Sequence, residues 1–181
     1  MHPPEPPQID PLPNPFTAAD VLSLLNEKHW LTGPPSADHL RWSANAASLL
    51  GHFAADRAAL AQILRLIFEF DATEIMQLPE SHAVLARHGA RDVIRHLALH
   101  LLEAGQLDSD RFKSLINQLK GELHTSSRDL FHPIRLALTG RSGEGELDRV
   151  ILLLDEAAVL PFAVPVKSTR TRILEFCAAM D

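Results

Sequence analysis

Apolar residues recur along most of this chain at spacings of three and four, the period that lines one face of an α-helix. Val21, Leu22, Leu24 and Leu25 form the first such face, opened by Thr17 as an N-cap with Asp20 three residues on and Phe16 placed to staple onto Val21. Gly33-Pro34-Pro35 interrupts the pattern, and Ser36 stands where it would cap a second helix from about Ala37 to Phe53. A third helix is expected from about Asp56 to Phe70. Its Leu60, Ile63, Leu64, Ile67 and Phe68 make a face wide enough to be covered by several neighbours.

After Pro79 the pattern continues with different punctuation. Ser81 to His88 is closed by Gly89, Arg91 to Ala104 by Gly105, and a helix capped by Asp108 ends near Gly121, each glycine being expected to take the left-handed backbone that ends helices. His132-Pro133 reads as the opening of a helix that stops at Gly140, because the donor that proline lacks is not needed in a first turn. Glu146 to Leu154 is short and strongly apolar, Pro161 to Pro165 reads as a loop or extended arm, and Ser168 caps a last helix to about Ala179. No segment alternates with period two, and no repeat of constant period occurs. The expectation is an all-α protein of two packed helical subdomains, residues 16–78 and 79–181, meeting near Leu78-Pro79. Residues 1–15 hold seven of the thirteen prolines and read as a disordered tail, the alternative being a proline-rich ligand for a partner domain.

Composition fits this picture: 46% apolar and 22% charged residues are those of a soluble globular protein. The formal charge of -6 excludes a polycationic coat for nucleic acid. The deficit is local, however. Residues 1–80 carry four basic side chains against ten acidic ones, whereas Arg87 to Arg141 carries nine basic against six acidic, so any polyanion contact belongs in the second half. The single cysteine, Cys177, excludes an internal disulfide and any multi-cysteine metal site, and fits a reducing compartment. No basic N-region leads into an apolar run, and no apolar stretch approaches about 18 residues, so a cytoplasmic protein without membrane contact is expected.

Catalytic chemistry finds little support. Gly140-Arg141-Ser142-Gly143-Glu144-Gly145 invites a phosphate-loop reading, but Glu146 and Leu147 stand where such a loop needs Lys and Ser or Thr, and a flexible interhelical turn is the better reading. His96 and His100 have the four-residue spacing of two metal ligands, with Glu103 on the same side, yet no third strong ligand is identifiable and a wet helix face is expected. Cys177 sits beside Ile173 and Phe176 as a small buried residue, and Ser142 lacks the pattern and the sheet of a nucleophile elbow. Trp30 and Trp42 are expected in the core. No cofactor is implied.

One stretch is more specific than composition. Leu130-Phe131-His132-Pro133-Ile134-Arg135-Leu136-Ala137-Leu138-Thr139-Gly140-Arg141 closely resembles a segment of the C-terminal anticodon-binding region of bacterial glutamyl-tRNA synthetases. Gly89-Ala90-Arg91-Asp92-Val93 and the Phe112 helix resemble what precedes that segment, and Gly145-Glu146-Leu147 resembles the end of the turn that follows it. The resemblance is strong over about residues 80 to 155 and weaker from 17 to 79. It implies an α-helical cage that stands without the catalytic half, hence no aminoacylation, because neither a His-Ile-Gly-His element nor a Lys-Met-Ser-Lys-Ser-like loop occurs in the chain. It further implies tRNA as partner, a synthetase or another protein as a further partner, and Arg135 with the Arg141 to Leu147 loop, Ser142 included, as the positions near the anticodon. The other reading of Arg135 is a structural residue paired with a nearby acid or carbonyl. Where the family has Gly-Pro before Glu-Leu, this chain has Glu144-Gly145, which loosens the turn and adds a carboxylate.

Lys167, Arg170 and Arg172 cluster before and within the first turn of the last helix. Cations gain nothing from the dipole at a helix N-terminus, so they are expected to meet an external anion, such as RNA, the alternative being a merely solvated end. The class opposed to an RNA-binding domain is a protein-interaction or regulatory domain that kept the fold and lost RNA.

Overall fold

The computed structural model describes residues 14–103 and 105–181, so most of the proline-rich stretch lies outside the described residues. The fold is all-α, with ten helices packed on one another and no strand among the described residues. They are α1 (Ala18–Glu27), α2 (Ala37–Leu50), α3 (Arg57–Phe68), α4 (Ala72–Met76), α5 (Pro79–Leu85), α6 (Ala90–Leu102), α7 (Ser109–Leu123), α8 (Ser127–Thr139), α9 (Glu146–Ala158) and α10 (Thr169–Met180). A short 3-10 turn, Gly51–Phe53, follows α2.

Local chemistry sets the helix starts. The Asp20 carboxylate accepts from the Thr17 backbone N–H at 2.8 Å and hydroxyl at 3.1 Å. Ser36 Oγ accepts from the His39 N–H, Asp56 from the Ala59 N–H, Asp108 from the Arg111 N–H, and Ser168 from the Thr171 N–H. Each satisfies a donor the helix itself leaves open. Asn14 anchors the chain ahead of α1, its Nδ2–H donating to the Ala47 carbonyl. Gly51 keeps an ordinary φ of -60°, and a Cβ there would meet the Asn14 side-chain amide, which would have to shift.

Several sequence expectations need correction. Pro133 is the seventh residue of α8 and not a first-turn residue, because the Ser126 hydroxyl caps the helix earlier by accepting from the Asp129 N–H. The carbonyl that Pro133 cannot serve belongs to Asp129, which is exposed and open to water. Gly121 lies inside α7, and His124, at φ +49°, takes the left-handed position instead. Helix α6, expected to run to Ala104, ends at Leu102. The helix expected from Ser81 to His88 begins at Pro79 and stops at Leu85, α9 extends past Leu154 to Ala158, and α4 was not anticipated.

Two apolar clusters fill the interior. One gathers the inner faces of α1, α2 and α3 with Trp30, Leu31, Phe162 and Val166. Trp30 stacks on Phe68 at 4.8 Å, and Trp42 meets Phe68 and Phe162 edge-on at 5.9 and 5.3 Å, pairs of about 0.5–1.5 kcal/mol each beyond burial. The other cluster gathers α4 to α8 and α10. Helix α9 serves both, giving Val150, Leu153, Leu154 and Ala157 to the first and Ile151 to the second. Trp42 Nε1–H donates to the Leu153 carbonyl at 3.2 Å.

Two buried polar residues tie these layers. The Asp155 carboxylate accepts from the Leu107 N–H at 2.7 Å and from the Thr169 N–H at 2.8 Å, joining α9 to the starts of α7 and α10. Arg172, fully buried, donates to the carbonyls of Lys167 (2.9 Å), Leu66 (2.9 Å), Ile67 (2.5 Å) and Leu138 (3.0 Å) and lies 4.7 Å from the Phe70 ring centroid. Leu66 and Ile67 belong to the last turn of α3 and Leu138 to that of α8, where carbonyls lack helical partners and carry the negative end of the dipole. Burial pushes the Arg172 guanidinium down to about 9, so it stays charged at neutral pH.

Arg172→Met removes the donors and leaves these carbonyls unpaired, and it is expected to cost about 3 kcal/mol or more at about 1–3 kcal/mol per stranded group. Arg172→Lys cannot reproduce the planar fork and should recover only part of the loss. The check is the urea midpoint at constant m-value, and an unchanged midpoint in the methionine variant contradicts the assignment.

Candidate nucleic-acid interface

The turn between α8 and α9 is fixed from several sides. Gly140 closes α8 at φ +86°, and a Cβ there would also come within 2.9 Å of Ile75. Arg135 donates through Nε and Nη2 to both oxygens of Asp148, each at 2.9 Å, and through Nη1 to the Gly143 carbonyl at 2.9 Å. Its guanidinium lies 4.9 Å from the Phe131 ring centroid. Asp148 beside it holds the Arg135 guanidinium above its ordinary range, against the opposing effect of partial burial. The Thr139 hydroxyl donates to the Arg135 carbonyl at 2.7 Å, and the Ser142 N–H and hydroxyl donate to Glu80 at 2.8 and 2.6 Å. Leu147 is buried beneath the turn.

Arg141 alone among the cations of this turn points outward, onto a cleft of about 640 Å³. The cleft lies between the end of α3, α4, the end of α8 and the arm Val164–Lys167. Arg65, Arg141 and Lys167 are its cations, and Arg172 lines its floor. Glu69, Asp71 and Glu74 line it too, so its charge is mixed. Arg65 is paired with Glu69, and Lys167 Nζ sits 2.8 Å from Glu175.

Of the expected site residues, Arg141, Lys167 and Arg172 therefore meet at one cleft, Arg135, Ser142 and Leu147 build the adjoining turn, and Arg170 is exposed without lining the cleft. Arg172 is a correction. Its guanidinium is engaged by four carbonyls and shielded from solvent, so it cannot meet an external anion. Arg135 has the geometry of a brace, with one edge on Asp148 and one donor on the turn. Arg65 was not anticipated as a lining residue, and the only signal for it was its four-residue spacing from Glu69.

His96 and His100 do share a face, and both meet Glu122 of α7, at 3.2 and 3.0 Å, and not Glu103. Hydrogen bonds from the two imidazoles hold the Glu122 carboxyl below its usual range. Among the described residues no group of three or more His, Cys, Asp and Glu side chains could hold a metal ion. Cys177 is half-buried, and burial pushes its thiol up, away from the reactive thiolate. No described helix is long and apolar enough to cross a membrane.

A family model described as an anticodon-binding domain matches residues 25–160. The chain is 25% identical over 139 residues to a glutamate–tRNA ligase of Exiguobacterium sibiricum, which covers 77% of this chain and 28% of that protein. It is 27% identical over 125 residues to the glutamate–tRNA ligase of Bacillus subtilis, covering 69% and 25%. A third, from Carboxydothermus hydrogenoformans, is 32% identical over 78 residues, covering 43% and 16%. The chain thus spans about a quarter or less of the length of these relatives. No solved structure matches.

The Arg135 brace makes a prediction independent of any ligand. Arg135→Ala and Asp148→Ala should each lose about 1.5–3 kcal/mol of stability, the range for hydrogen bonds to charged groups, and the double variant should lose little more than either. Additive losses in a denaturant double-mutant cycle would show that the pair is not coupled.

Proposed function

The chain belongs to the anticodon-binding domain family, and from that membership we propose that it binds the anticodon arm of a tRNA and performs no aminoacylation itself. The cytoplasm is its place of action in this reading. The relatives it matches are glutamate–tRNA ligases, and the match covers only a minor share of them. What carries the proposal is the braced turn: Arg135, Asp148 and Glu80 hold residues 140–145 so that Arg141 stands at the rim of a cleft it shares with Lys167. A guanidinium held this way suits an unstacked base or a phosphate, and single-stranded loops are where proteins read RNA sequence.

A second reading, a protein-interaction domain that has left RNA behind, has one observation in its favour. Glu69, Asp71 and Glu74 line the same cleft and would repel phosphate.

Titration with tRNA at two salt concentrations separates the two. Saturable binding at low salt is expected. Arg141→Ala should weaken it by about 1–3 kcal/mol and relax discrimination among anticodon variants, whereas Lys167→Ala should weaken all tRNAs alike and lower the salt slope by about one. Absence of saturable binding at low salt would remove the tRNA reading. Co-purification of a stoichiometric protein free of RNA would put the interaction reading in its place.

A further inference from the structure

The exposed side of α8 carries a second cationic group, of which only Arg135 is engaged by the braced turn. Arg128, His132 and Arg135 lie four and three residues apart and so share one face of the helix. Arg87, just past the end of α5, reaches that face: its Nη1 lies 2.8 Å from His132 Nδ1. A guanidinium only donates, so Nδ1 accepts, and the neutral imidazole carries its proton on Nε2. Among the described residues that Nε2–H has no hydrogen-bond partner in the protein, and neither Arg87 nor Arg128 is paired with a carboxylate.

The surrounding charge is lopsided. Burial together with Arg87, Arg128 and Arg135 pushes His132 below its usual range, and Glu144 is the one carboxylate acting against them. Arg135 is already neutralised by Asp148. Arg128 sits in the first turn of α8, where the helix dipole offers a cation nothing. The result is concentrated positive charge with spare donors, opposed at His132 by Glu144.

We propose that Arg87, Arg128 and the Nε2–H of His132 form a seat for a phosphate group, supplied by the RNA backbone. From Arg128 to the turn at Gly140 the helix runs about 18 Å at about 1.5 Å per residue, so a strand seated at one end of α8 reaches Arg141 at the other. The face of α8 then works as a track: phosphate is held at its start, and sequence is read at its end. This assignment rests on the tRNA reading for the source of the phosphate, while the chemistry of the seat does not.

The test follows the imidazole NMR signals of His132 during separate titrations with inorganic sulfate and with tRNA. Sulfate copies the shape of phosphate and does not titrate in this range. Both ligands should shift the His132 signals saturably in the wild type, and Arg87→Gln/Arg128→Gln should abolish the sulfate response. The double variant should also bind tRNA about tenfold more weakly, with a salt slope lower by about two. Arg128 is exposed, so Arg128→Gln alone gives a version of the test in which folding is not at risk. If sulfate shifts His132 while tRNA does not bind, the seat stands for a free anion and the tRNA reading fails. If tRNA binds with unchanged affinity and salt slope in the double variant, the seat is overturned and the tRNA reading stands. If neither ligand moves the His132 signals, the seat is overturned.

Discussion

One guanidinium organises this molecule. Arg172 sits where the C-terminal ends of α3 and α8 converge beside the start of α10, and its donors go to carbonyls of all three regions. A buried cation without a bonded carboxylate would be costly in an apolar interior. Here the negative ends of two helices substitute for a counter-ion, and their last-turn carbonyls would themselves be unsatisfied without it. The cation and the helix ends solve each other's problem only in this arrangement, so the interaction fixes how the helices meet. The cleft inherits that geometry: Arg172 and Phe70 form part of its wall, with Arg141 and Lys167 placed by elements whose ends Arg172 holds.

The tie at Asp155 works in the same direction from the other side of α10. Its carboxylate takes the Leu107 and Thr169 amides, so α9 is fastened to α7 and α10 while its apolar faces fill both clusters. Helix α9 also begins immediately after the braced turn. Asp148, in its first turn, is the anchor of Arg135, and Leu147 is buried beside it. The turn is therefore coupled to the core through α9, and its shape is set before any ligand arrives. Preorganisation of this kind reduces the ordering cost of binding and favours discrimination over bulk affinity.

Much of the fold was legible because its signals are local. Thr17 with Asp20, Ser36, Asp108 and Ser168 act on donors within three residues of themselves, and Gly140 ends α8 by its own backbone angle. The misreadings share a physical cause. Pro133 is tolerated in the second turn because the carbonyl it abandons is at an exposed position, a fact of tertiary placement. Gly121 continues α7, whose Leu119 is packed in the core, and His124 accepts the left-handed angle three residues later. The candidate site was half legible. Arg135 and Arg172 were found by motif and by position, but whether a guanidinium faces solvent or a ring of carbonyls depends on helix ends a hundred residues distant in sequence. Nothing near Arg172 announces Leu66 or Ile67 as its partners.

The charge of the chain sharpens what such a surface can do. With a net charge of -6, and the acidic excess confined to residues 1–80, the molecule as a whole repels a polyanion, and any local attraction has to come from cations of the second half. Long-range attraction is screened over about 8–10 Å at physiological salt, so a local group of cations is felt by a phosphate that the distant carboxylates scarcely reach. A strand approaching from the α3 side meets Glu69, Asp71 and Glu74, and one approaching along α8 meets Arg128, His132 and then Arg141. The acids of the cleft need not oppose binding on that second route. In the proposed tRNA reading they would restrict the directions from which an RNA can enter, and a domain with few phosphate contacts and strong directional exclusion gains selectivity at the expense of nonspecific affinity.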